Sequence, residues 1–584
     1  PMASVIEGDS VLALDVGSAT TRAILFDVVE GRYRFIAIGQ SPSTAHAPFN
    51  DISAGISESI EKLEEITGRT FIDVEQNIIS SVQEDGSGVD SIAATISVGE
   101  TLRVVVAGLL SEVSLESAKN LVETTYGRVV GSISLNDTRK DEEQIDAILK
   151  ANPDLIIIAG GTDEGASKSL KKIIEIIGLA IYLLPKDKRP AIIFAGNQAM
   201  DSEIRELLES LSSEFYTASN IRPSVETEDL RSARTALARA LIEIRKKQIP
   251  GIEALDMWAG GRMLPSVFTE GRIIQLLSQL YGTEKALLSV NLGASAATIS
   301  MGLGGKLYSK IYPHLGLGAS IAELLKYTKP ENIARWLTFE ASSQRINDYI
   351  YTKALYPNSI PATKDGLQIE QALGREALRI AMESARVKMP DGVPALKSNL
   401  LPLFEIILAG GSVLSNAPTL GQSLLILLDA LQPTGISTII LDQNNLLPAL
   451  GAAAEINSIL PVQALESGAF VNLATLVSPL SSARYGTSIL QARLKQADGS
   501  VSTAELKEGG LEVLPLGIGQ VADLSLVPLK RTDIGNGAGK KVSMKVGGSA
   551  LGIVLDGRGR PLDLTSDDVR RRELIKKWLW TLGG

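Results

Sequence analysis

Apolar runs and amphipathic segments divide the chain into stretches of different character. Residues 11–42 hold three apolar runs separated by polar turns, which predicts a three-stranded antiparallel meander. Residues 100–200 alternate fully apolar runs, such as "DLIIIAGG", with helical patterns, which predicts a parallel sheet buried on both faces. After about residue 465 the apolar runs become short and are broken by glycine pairs, which predicts a β-rich module.

Two strand–turn–strand segments resemble each other: "LALDVGSATTRAILFD" and "LLSVNLGASAATISMG". Aligning Asp15 with Asn291 also matches Gly17 with Gly293. A glycine at this point lets the backbone turn tightly, so that N–H groups and hydroxyls can face an anion such as a polyphosphate. Because each hairpin opens a domain-sized segment, the pair predicts two related domains that clamp a nucleotide between them.

A third segment, "IILAGGSVLSNAP", ends a buried strand with Gly410 and Gly411, followed by Ser412. Glycines at the carboxyl end of a strand let a flat base or ribose lie against the backbone, at the edge where α/β sheets bind ligands. An ordinary strand-to-helix turn would give the same pattern. The segment therefore supports a nucleotide site only in combination with the two hairpins.

Composition narrows the function classes. A chain of 584 residues is long enough for several domains, each with its own core. The formal charge of −10 argues against broad electrostatic binding of nucleic acid or an anionic membrane. The absence of cysteine excludes disulfides and thiolate sites and fits a cytoplasmic protein, and no apolar stretch is long enough to predict a transmembrane helix.

Taken together, the three segments resemble, in order and spacing, the two phosphate loops and the adenosine loop of the actin/Hsp70/sugar-kinase superfamily. The resemblance implies an α/β, actin-like ATPase fold with two related domains around a nucleotide cleft. We expect the first domain at 9–262, with an α/β insertion at about 100–200, and the second at 263–464. A β-rich module with a terminal amphipathic helix follows at 465–584.

A narrower resemblance, over residues 11–460 and 545–582, is to the MutL/GlmL family of actin-like ATPases. These accompany coenzyme-B12-dependent glutamate mutase and are unrelated to the mismatch-repair protein of similar name. The segments that carry it include "PDLIIIAGGTDEGA", "GRMLPSVFTEG" and "GGSALGIVLDGRGRPLDL". The resemblance implies binding of ATP and Mg²⁺ and a chaperone-like role that keeps a partner enzyme active.

The same resemblance implies roles for individual residues. ATP and Mg²⁺ would lie between the loops at 15–22 and 291–298, with Asp15 holding the metal through water. Asp15 and Asp163 are the candidate catalytic carboxylates. The residues expected to contact the nucleotide are Gly17, Ser18, Thr20, Thr21 and Arg22 in the first loop, Asn291, Gly293, Ala294 and Ser295 in the second, and Gly410, Gly411 and Ser412 beyond it. Arg22 would neutralise phosphate charge or, equally, point outward from its strand.

The second loop departs from the superfamily pattern, because Asn291 and Ile299 stand where acidic residues are usual. Asparagine donates and accepts hydrogen bonds, but it cannot act as a general base or bring negative charge to Mg²⁺. We therefore expect slow hydrolysis or none. "TDEGA" also carries Glu164 in place of a family glycine, either as an added carboxylate or as a solvated turn residue.

Three functions compete at this point. The first is a nucleotide-dependent chaperone or reactivating factor for a B12-dependent mutase-type enzyme, with weak ATPase activity at most. The second is a scaffold or filament-forming, self-assembling actin relative in which the nucleotide is structural or absent. The third is a small-molecule kinase, which is disfavoured because only Asp163 could serve as the base near an acceptor. The family resemblance favours the first.

Overall fold

The computed structural model of the protein describes residues 9–75, 77–163, 167–283, 285–389 and 392–584. These residues group into two units. The first unit comprises residues 9–25 and 39–269, and the second comprises 26–38 and 270–584.

In the part of the chain that the structure describes, the first unit contains ten strands and seven α-helices, with residues 26–38 of β2 and β3 counted in the second unit. The strands are β1 (Val11–Val16), β2 (Thr20–Val29), β3 (Arg32–Pro42), β4 (Ser91–Ile96), β5 (Leu102–Gly108), β6 (Gly127–Ser134), β7 (Leu155–Ile158), β8 (Ala191–Phe194), β9 (Phe215–Thr217) and β10 (Leu264–Pro265). The helices are α1 (Ser53–Thr67), α2 (Ser114–Val122), α3 (Asp141–Ala151), α4 (Ser167–Leu183), α5 (Asp201–Leu208), α6 (Arg231–Gln248) and α7 (Ile252–Trp258).

Two sheets organise these strands. The first has the order β10-β4-β1-β2-β3, in which β1 pairs in parallel with β4. The second has the order β6-β5-β7-β8-β9 and is parallel throughout, as the alternation of apolar runs and helical patterns predicts. Its strands β7 and β8 are buried along their whole length, because helices supply apolar side chains to the sheet.

The second unit contains the remaining elements. Its helices are α8 (Ser266–Tyr281, with residues 266–269 counted in the first unit), α9 (Pro330–Ala334), α10 (Ser343–Leu355), α11 (Lys364–Val387), α12 (Ser412–Ser415), α13 (Leu420–Leu431), α14 (Leu447–Ala453), α15 (Ile459–Glu466) and α16 (Asp568–Thr581). Its strands are β11 (Leu287–Leu292), β12 (Ala297–Leu303), β13 (Lys306–Tyr312), β14 (Ile406–Gly410), β15 (Gly435–Leu441), β16 (Val471–Ser478), β17 (Ser488–Gln496), β18 (Val501–Lys507), β19 (Leu511–Leu514), β20 (Val521–Pro528), β21 (Val542–Gly547) and β22 (Ile553–Asp556).

An eight-stranded sheet in the order β13-β12-β11-β14-β15-β16-β22-β19 forms the centre of the second unit. β11, β12 and β13 are antiparallel neighbours, and β11 also pairs in parallel with β14. The order β13-β12-β11-β14 matches the order β3-β2-β1-β4 of the five-stranded sheet described first. In each, three strands that are consecutive in the sequence lie side by side, and the first of them pairs in parallel with a later strand. The repeated core confirms the predicted α/β, actin-like fold class.

The C-terminal part is rich in strands, as predicted. β17, β18, β20 and β21 form a separate antiparallel sheet in the order β18-β17-β20-β21, while β16, β19 and β22 extend the eight-stranded sheet. α16 places Ile575 and Trp578 in the core of the second unit, and Leu582, directly after the helix, packs there as well. Among the described residues no helix has the length and apolar character needed to cross a membrane.

Candidate functional site

The turn between β1 and β2 is closed by a backbone hydrogen bond from the N–H of Gly17 to the carbonyl oxygen of Thr20, 3.0 Å away. A Cβ at residue 17 would lie only 2.8 Å from that oxygen, so the turn requires glycine. The carbonyl of Ala19 accepts a hydrogen bond from the N–H of Ser43. The loop is thus fixed by its own backbone and by the chain that follows β3.

Asp15, at the end of β1, is buried and has two side-chain partners. Arg22 Nη1 donates to Oδ2 and Ser266 Oγ donates to Oδ1, each over 3.1 Å. Burial raises the pKa of the Asp15 carboxyl above its ordinary value, although Arg22 and Ser266 act in the opposite direction. Ser266 also accepts a hydrogen bond from Thr95, at the end of the neighbouring strand β4.

The other residues predicted in this loop differ in exposure. Ser18 is buried, with its hydroxyl 3.5 Å from the carbonyl oxygen of Ser97, and Thr20 is half-buried. Thr21 is fully buried, and a Cβ at Gly55 of α1 would lie 3.3 Å from its hydroxyl. Among the described residues, that hydroxyl has no hydrogen-bond partner. The phosphate contacts expected of these residues stay predictions.

Asp163 belongs to a different sheet, in the loop after β7. Its Oδ1 accepts a hydrogen bond from Asn220 Nδ2 over 2.9 Å, and the same amide donates to the carbonyl of Gly161. The structure therefore groups Asp163 with the loops of the parallel sheet, while Asp15 is grouped with Arg22 and Ser266. Glu164 lies outside the described residues.

The second predicted loop, between β11 and β12, closes in the same way as the first. The N–H of Gly293 donates to the carbonyl oxygen of Ala296 over 3.0 Å. The carbonyls of Gly293 and Ala294 accept hydrogen bonds from Leu317 and Gly318, and Ser295 is half-buried. The two loops share a turn that was predicted from the alignment of Gly17 with Gly293.

A buried carboxylate that sequence reasoning missed accompanies Asn291. Glu270 is 2% exposed, and its carboxylate accepts hydrogen bonds from Asn291 Nδ2 over 3.1 Å and from Ser289 Oγ over 3.2 Å. The available signal was helical spacing: Glu270 lies three residues after Val267 and four before Ile274, on the apolar side of α8. Negative charge is therefore present beside Asn291, although it comes from a helix and not from the strand.

Asn291 is the register partner of Gly410, so the ends of β11 and β14 lie side by side. A Cβ at residue 410 would lie 3.7 Å from Asn291 Nδ2 and 3.8 Å from Asn445 Oδ1, at ordinary contact distance. Two side-chain amides thus border the bare backbone of Gly410. The carboxyl ends of parallel strands in open α/β sheets are where ligands bind.

Gly411 must be glycine for a different reason, which is its backbone conformation and the close approach of a neighbouring strand. Its φ is +101°, and a Cβ there would come within 2.2 Å of the carbonyl oxygen of Leu292. Its N–H donates to Asn445 Oδ1 over 2.9 Å. Gly411 therefore holds β14 against the second loop, and Ser412, which is half-buried, begins α12 directly after it.

The end of β15 completes this edge of the sheet. Asp442 is buried and accepts hydrogen bonds from the N–H groups of Leu446 and Leu447, at 2.8 and 2.9 Å. It thereby satisfies backbone donors at the start of α14 and fixes the turn that carries Asn445. The second unit thus has a polar edge formed by the ends of β11, β14 and β15.

Comparison with known proteins identifies a family whose model matches most of this chain. The model of the family described as "MutL protein" matches residues 11–468. "Protein MutL" of Clostridium tetanomorphum is 23% identical over 401 residues, which cover 64% of this chain and 78% of that protein.

Solved structures with detectable similarity include a nucleotide-free acetone carboxylase, at 11% identity and a TM-score of 0.31, covering 86% of this chain and 81% of that one. An ATP-dependent caprolactamase from Pseudomonas jessenii gives 10% identity and a TM-score of 0.31, covering 85% and 81%. Similarities this low say nothing about what the present chain binds.

Proposed function

The chain belongs to the MutL protein family, and from that premise we propose that it is an actin-like protein that binds ATP together with Mg²⁺. The observation that carries the proposal is the repeated turn. Gly17 donates to Thr20 and Gly293 donates to Ala296 over the same distance, each directly after a strand whose next-to-last residue is Asp15 or Asn291. Tight turns of this kind present successive N–H groups to an anion.

Asp15 is the residue that we propose for the metal. Among the described residues no group of three or more acidic or histidine side chains is arranged to hold an ion. Mg²⁺ in nucleotide sites keeps several waters and takes one or two carboxylates plus the substrate phosphates, so one buried carboxylate suits it. When bound, the ion would neutralise phosphate charge. Arg22, already paired with Asp15, would stay beside the bound charges.

The second unit, taken by itself, offers an amide-lined surface to a nucleotide. The backbone of Gly410 and the amides of Asn291 and Asn445 offer donors and acceptors without net charge. The carboxylate of Glu270 accepts two hydrogen bonds, from Ser289 and Asn291, which hold it in one orientation. The amide of Asn291 cannot act as a general base at the end of β11, and we propose that hydrolysis is slow or absent.

The family membership and the motif resemblance support a finer role, as an accessory or reactivating factor for a B12-dependent mutase-type enzyme. In this role the nucleotide would select a conformation of the chain that the partner enzyme recognises. The test is the recovery of turnover by an inactivated B12-dependent glutamate mutase after addition of the chain with ATP and Mg²⁺. The Asp15→Ala variant should give no recovery. Recovery without ATP, or equal recovery with that variant, would contradict the role.

Nucleotide binding is tested separately by calorimetric titration of the full chain with ATP and Mg²⁺. We expect saturable heat with the wild-type chain and an affinity at least about tenfold weaker, or roughly 1.4 kcal/mol, with Asp15→Ala. Asp187→Ala, which removes an exposed carboxylate, is the matched control and should bind as the wild type does. Absence of both heat and thermal shift at millimolar ATP would overturn the proposal.

A further inference from the structure

A cavity of about 600 Å³ lies at the amino ends of the central strands of the eight-stranded sheet, whereas Asn291 and Gly410 lie at the carboxyl ends of their strands. Its walls come from the amino ends of the central strands and from β21 of the four-stranded sheet. The lining includes Lys285, Glu405, Ile436, Thr438 and Leu403. The volume falls within the range of ordinary ligand sites, and the mixture of apolar walls with a few polar groups is typical of them.

β21 contributes its backbone to this cavity as well as its side chains. Side chains of a strand alternate between faces, so a cavity that touched only one face would be lined by every second residue. Instead, the four consecutive residues from Met544 to Gly547 line it, together with Val542. β21 is also the terminal strand of its sheet, and in the described part of the chain it pairs on one side only, with β20. The unpaired edge of β21 therefore faces the cavity.

The positive charge in and beside β21 indicates which kind of segment could pair with its free edge. Lys540, Lys541 and Lys545 are exposed in and beside β21, whereas Lys285 across the cavity is paired with Glu405 over 3.6 Å. Lysines on an edge strand oppose pairing with a second copy of the same strand, because like charges would meet. The same lysines favour an incoming strand that carries acidic side chains.

We propose that β21 is a docking strand for a partner protein. An extended acidic segment of the partner adds to the free edge between Val542 and Gly547, with its apolar side chains in the cavity and a carboxylate beside Lys545. Strand addition of this kind derives affinity from main-chain hydrogen bonds and specificity from alternate side chains. The inference is independent of nucleotide binding, because the cavity lies away from the polar edge of the sheet.

The experiment uses the full chain and a fluorescein-labelled octapeptide of alternating Val and Glu, with binding measured by fluorescence polarisation. We expect saturable binding of this peptide. An otherwise identical peptide that is N-methylated at alternate residues should bind at least about tenfold more weakly, because it has lost the N–H donors that pair with the strand edge. A Val/Lys peptide should show no saturable binding. These peptide controls leave the protein unchanged.

Two protein variants test the position. Lys545→Glu should weaken binding of the Val/Glu peptide at least about tenfold, since it places like charges together. The matched control is Lys507→Glu, at a lysine that is also exposed and that ends β18, the strand at the opposite side of the same sheet; it should leave the affinity unchanged. Circular dichroism establishes that both variants are folded. Equal binding of the N-methylated peptide, equal effects of the two substitutions, or no binding of the Val/Glu peptide would each overturn the proposal.

Discussion

The side-chain amide of Asn291 donates a hydrogen bond to the buried carboxylate of Glu270 over 3.1 Å. An aspartate in place of Asn291 would face Glu270 with a second negative charge at the same distance. The amide is therefore the residue type that suits a strand end next to a buried glutamate. Residue 291 is not acidic, and the carboxylate at this end of the sheet is supplied instead by Glu270 of α8.

Asn291→Asp should destabilise the chain at neutral pH. Two carboxylates this close are destabilising unless one of them is protonated, and we expect a loss on the order of 2 kcal/mol in the free energy of unfolding at pH 7. The loss should be smaller at pH 5, where a shared proton relieves the repulsion. Denaturant unfolding at the two pH values measures both quantities.

The control for this prediction is the double variant Asn291→Asp with Glu270→Gln. Exchanging the amide and the carboxylate restores one donor and one charge, so most of the lost stability should return. A double variant as unstable as Asn291→Asp alone would show that the pairing with Glu270 is not the reason for asparagine.

Glu270→Gln tests whether this carboxylate takes part in chemistry. If Glu270 orients or deprotonates water, any slow ATPase activity of the wild type should fall at least about 100-fold, the usual contribution of such a group. Because the size and the hydrogen-bonding capacity of the side chain are nearly kept, ATP affinity should change by less than about twofold. Single-turnover hydrolysis and calorimetry separate the two effects. Glu383→Gln, at an exposed glutamate of α11, is the matched control and should change neither.

The two related turns should differ in their tolerance of alanine. A Cβ at Gly17 would lie 2.8 Å from the carbonyl oxygen of Thr20, whereas at Gly293 the nearest atom is the carbonyl oxygen of Ala296 at 3.7 Å. Gly17→Ala should therefore lower the free energy of unfolding by about 1–3 kcal/mol, and Gly293→Ala by less than about 0.5 kcal/mol. Equal losses would mean that the turns impose the same constraint.

These turns also show what the sequence can predict. Apolar runs joined by Gly17 or Gly293 define a strand, a tight turn and a second strand, because the constraint lies within a few residues. The repeat of the core followed from the same local pattern. The pairing of Glu270 with Asn291 was not predictable, because tertiary packing brings helix α8 and strand β11 together.

A second example is the motif "LDGRGRPL", which the sequence connects to the family but not to any partner side chain. Arg558 donates to Asp556 and also to Asp429, which is 129 residues away and bonded in turn to Arg375. All four side chains are buried. Only the fold shows that β22 and α13 share this network, since no periodicity marks a pair so far apart.

Arg558→Met should be strongly destabilising. It removes the guanidinium between two buried carboxylates and leaves Asp429 and Asp556 each with one fewer partner, a loss that costs about 3–5 kcal/mol in buried pairs. Guanidinium unfolding followed by tryptophan fluorescence measures it. Arg205→Met, which breaks the exposed pair with Glu209, should cost less than about 1 kcal/mol.

The pH dependence of this network follows from Asp556. Burial alone would raise the pKa of Asp556, but Arg558 and Arg560 hold it well below its ordinary value. A depressed pKa contributes stability that is present above the pKa of the unfolded chain, about 3.9, and is lost as the pH falls below it. The destabilisation by Arg558→Met should therefore be larger at pH 7 than at pH 3, and a constant difference would contradict the assignment.

Alanine substitutions at the adjacent residues Gly410 and Gly411 should distinguish an effect on ligand binding from an effect on folding. At Gly411 a Cβ would come within 2.2 Å of the carbonyl oxygen of Leu292, and the φ of +101° is strained for any side chain, so Gly411→Ala should lower stability by more than about 2 kcal/mol. At Gly410 the nearest atoms are 3.7 Å away, so Gly410→Ala should remain close to wild-type stability.

The methyl group of Gly410→Ala would nevertheless occupy the space between the amides of Asn291 and Asn445. If the nucleotide lies against this backbone, ATP affinity should fall at least about tenfold while the melting temperature is nearly unchanged. Calorimetric titration and thermal unfolding of the same preparation give both numbers. A Gly410→Ala chain that binds ATP as the wild type does would remove the end of β14 from the nucleotide site, and the loops of Asp15 and Asn291 would remain as its candidates.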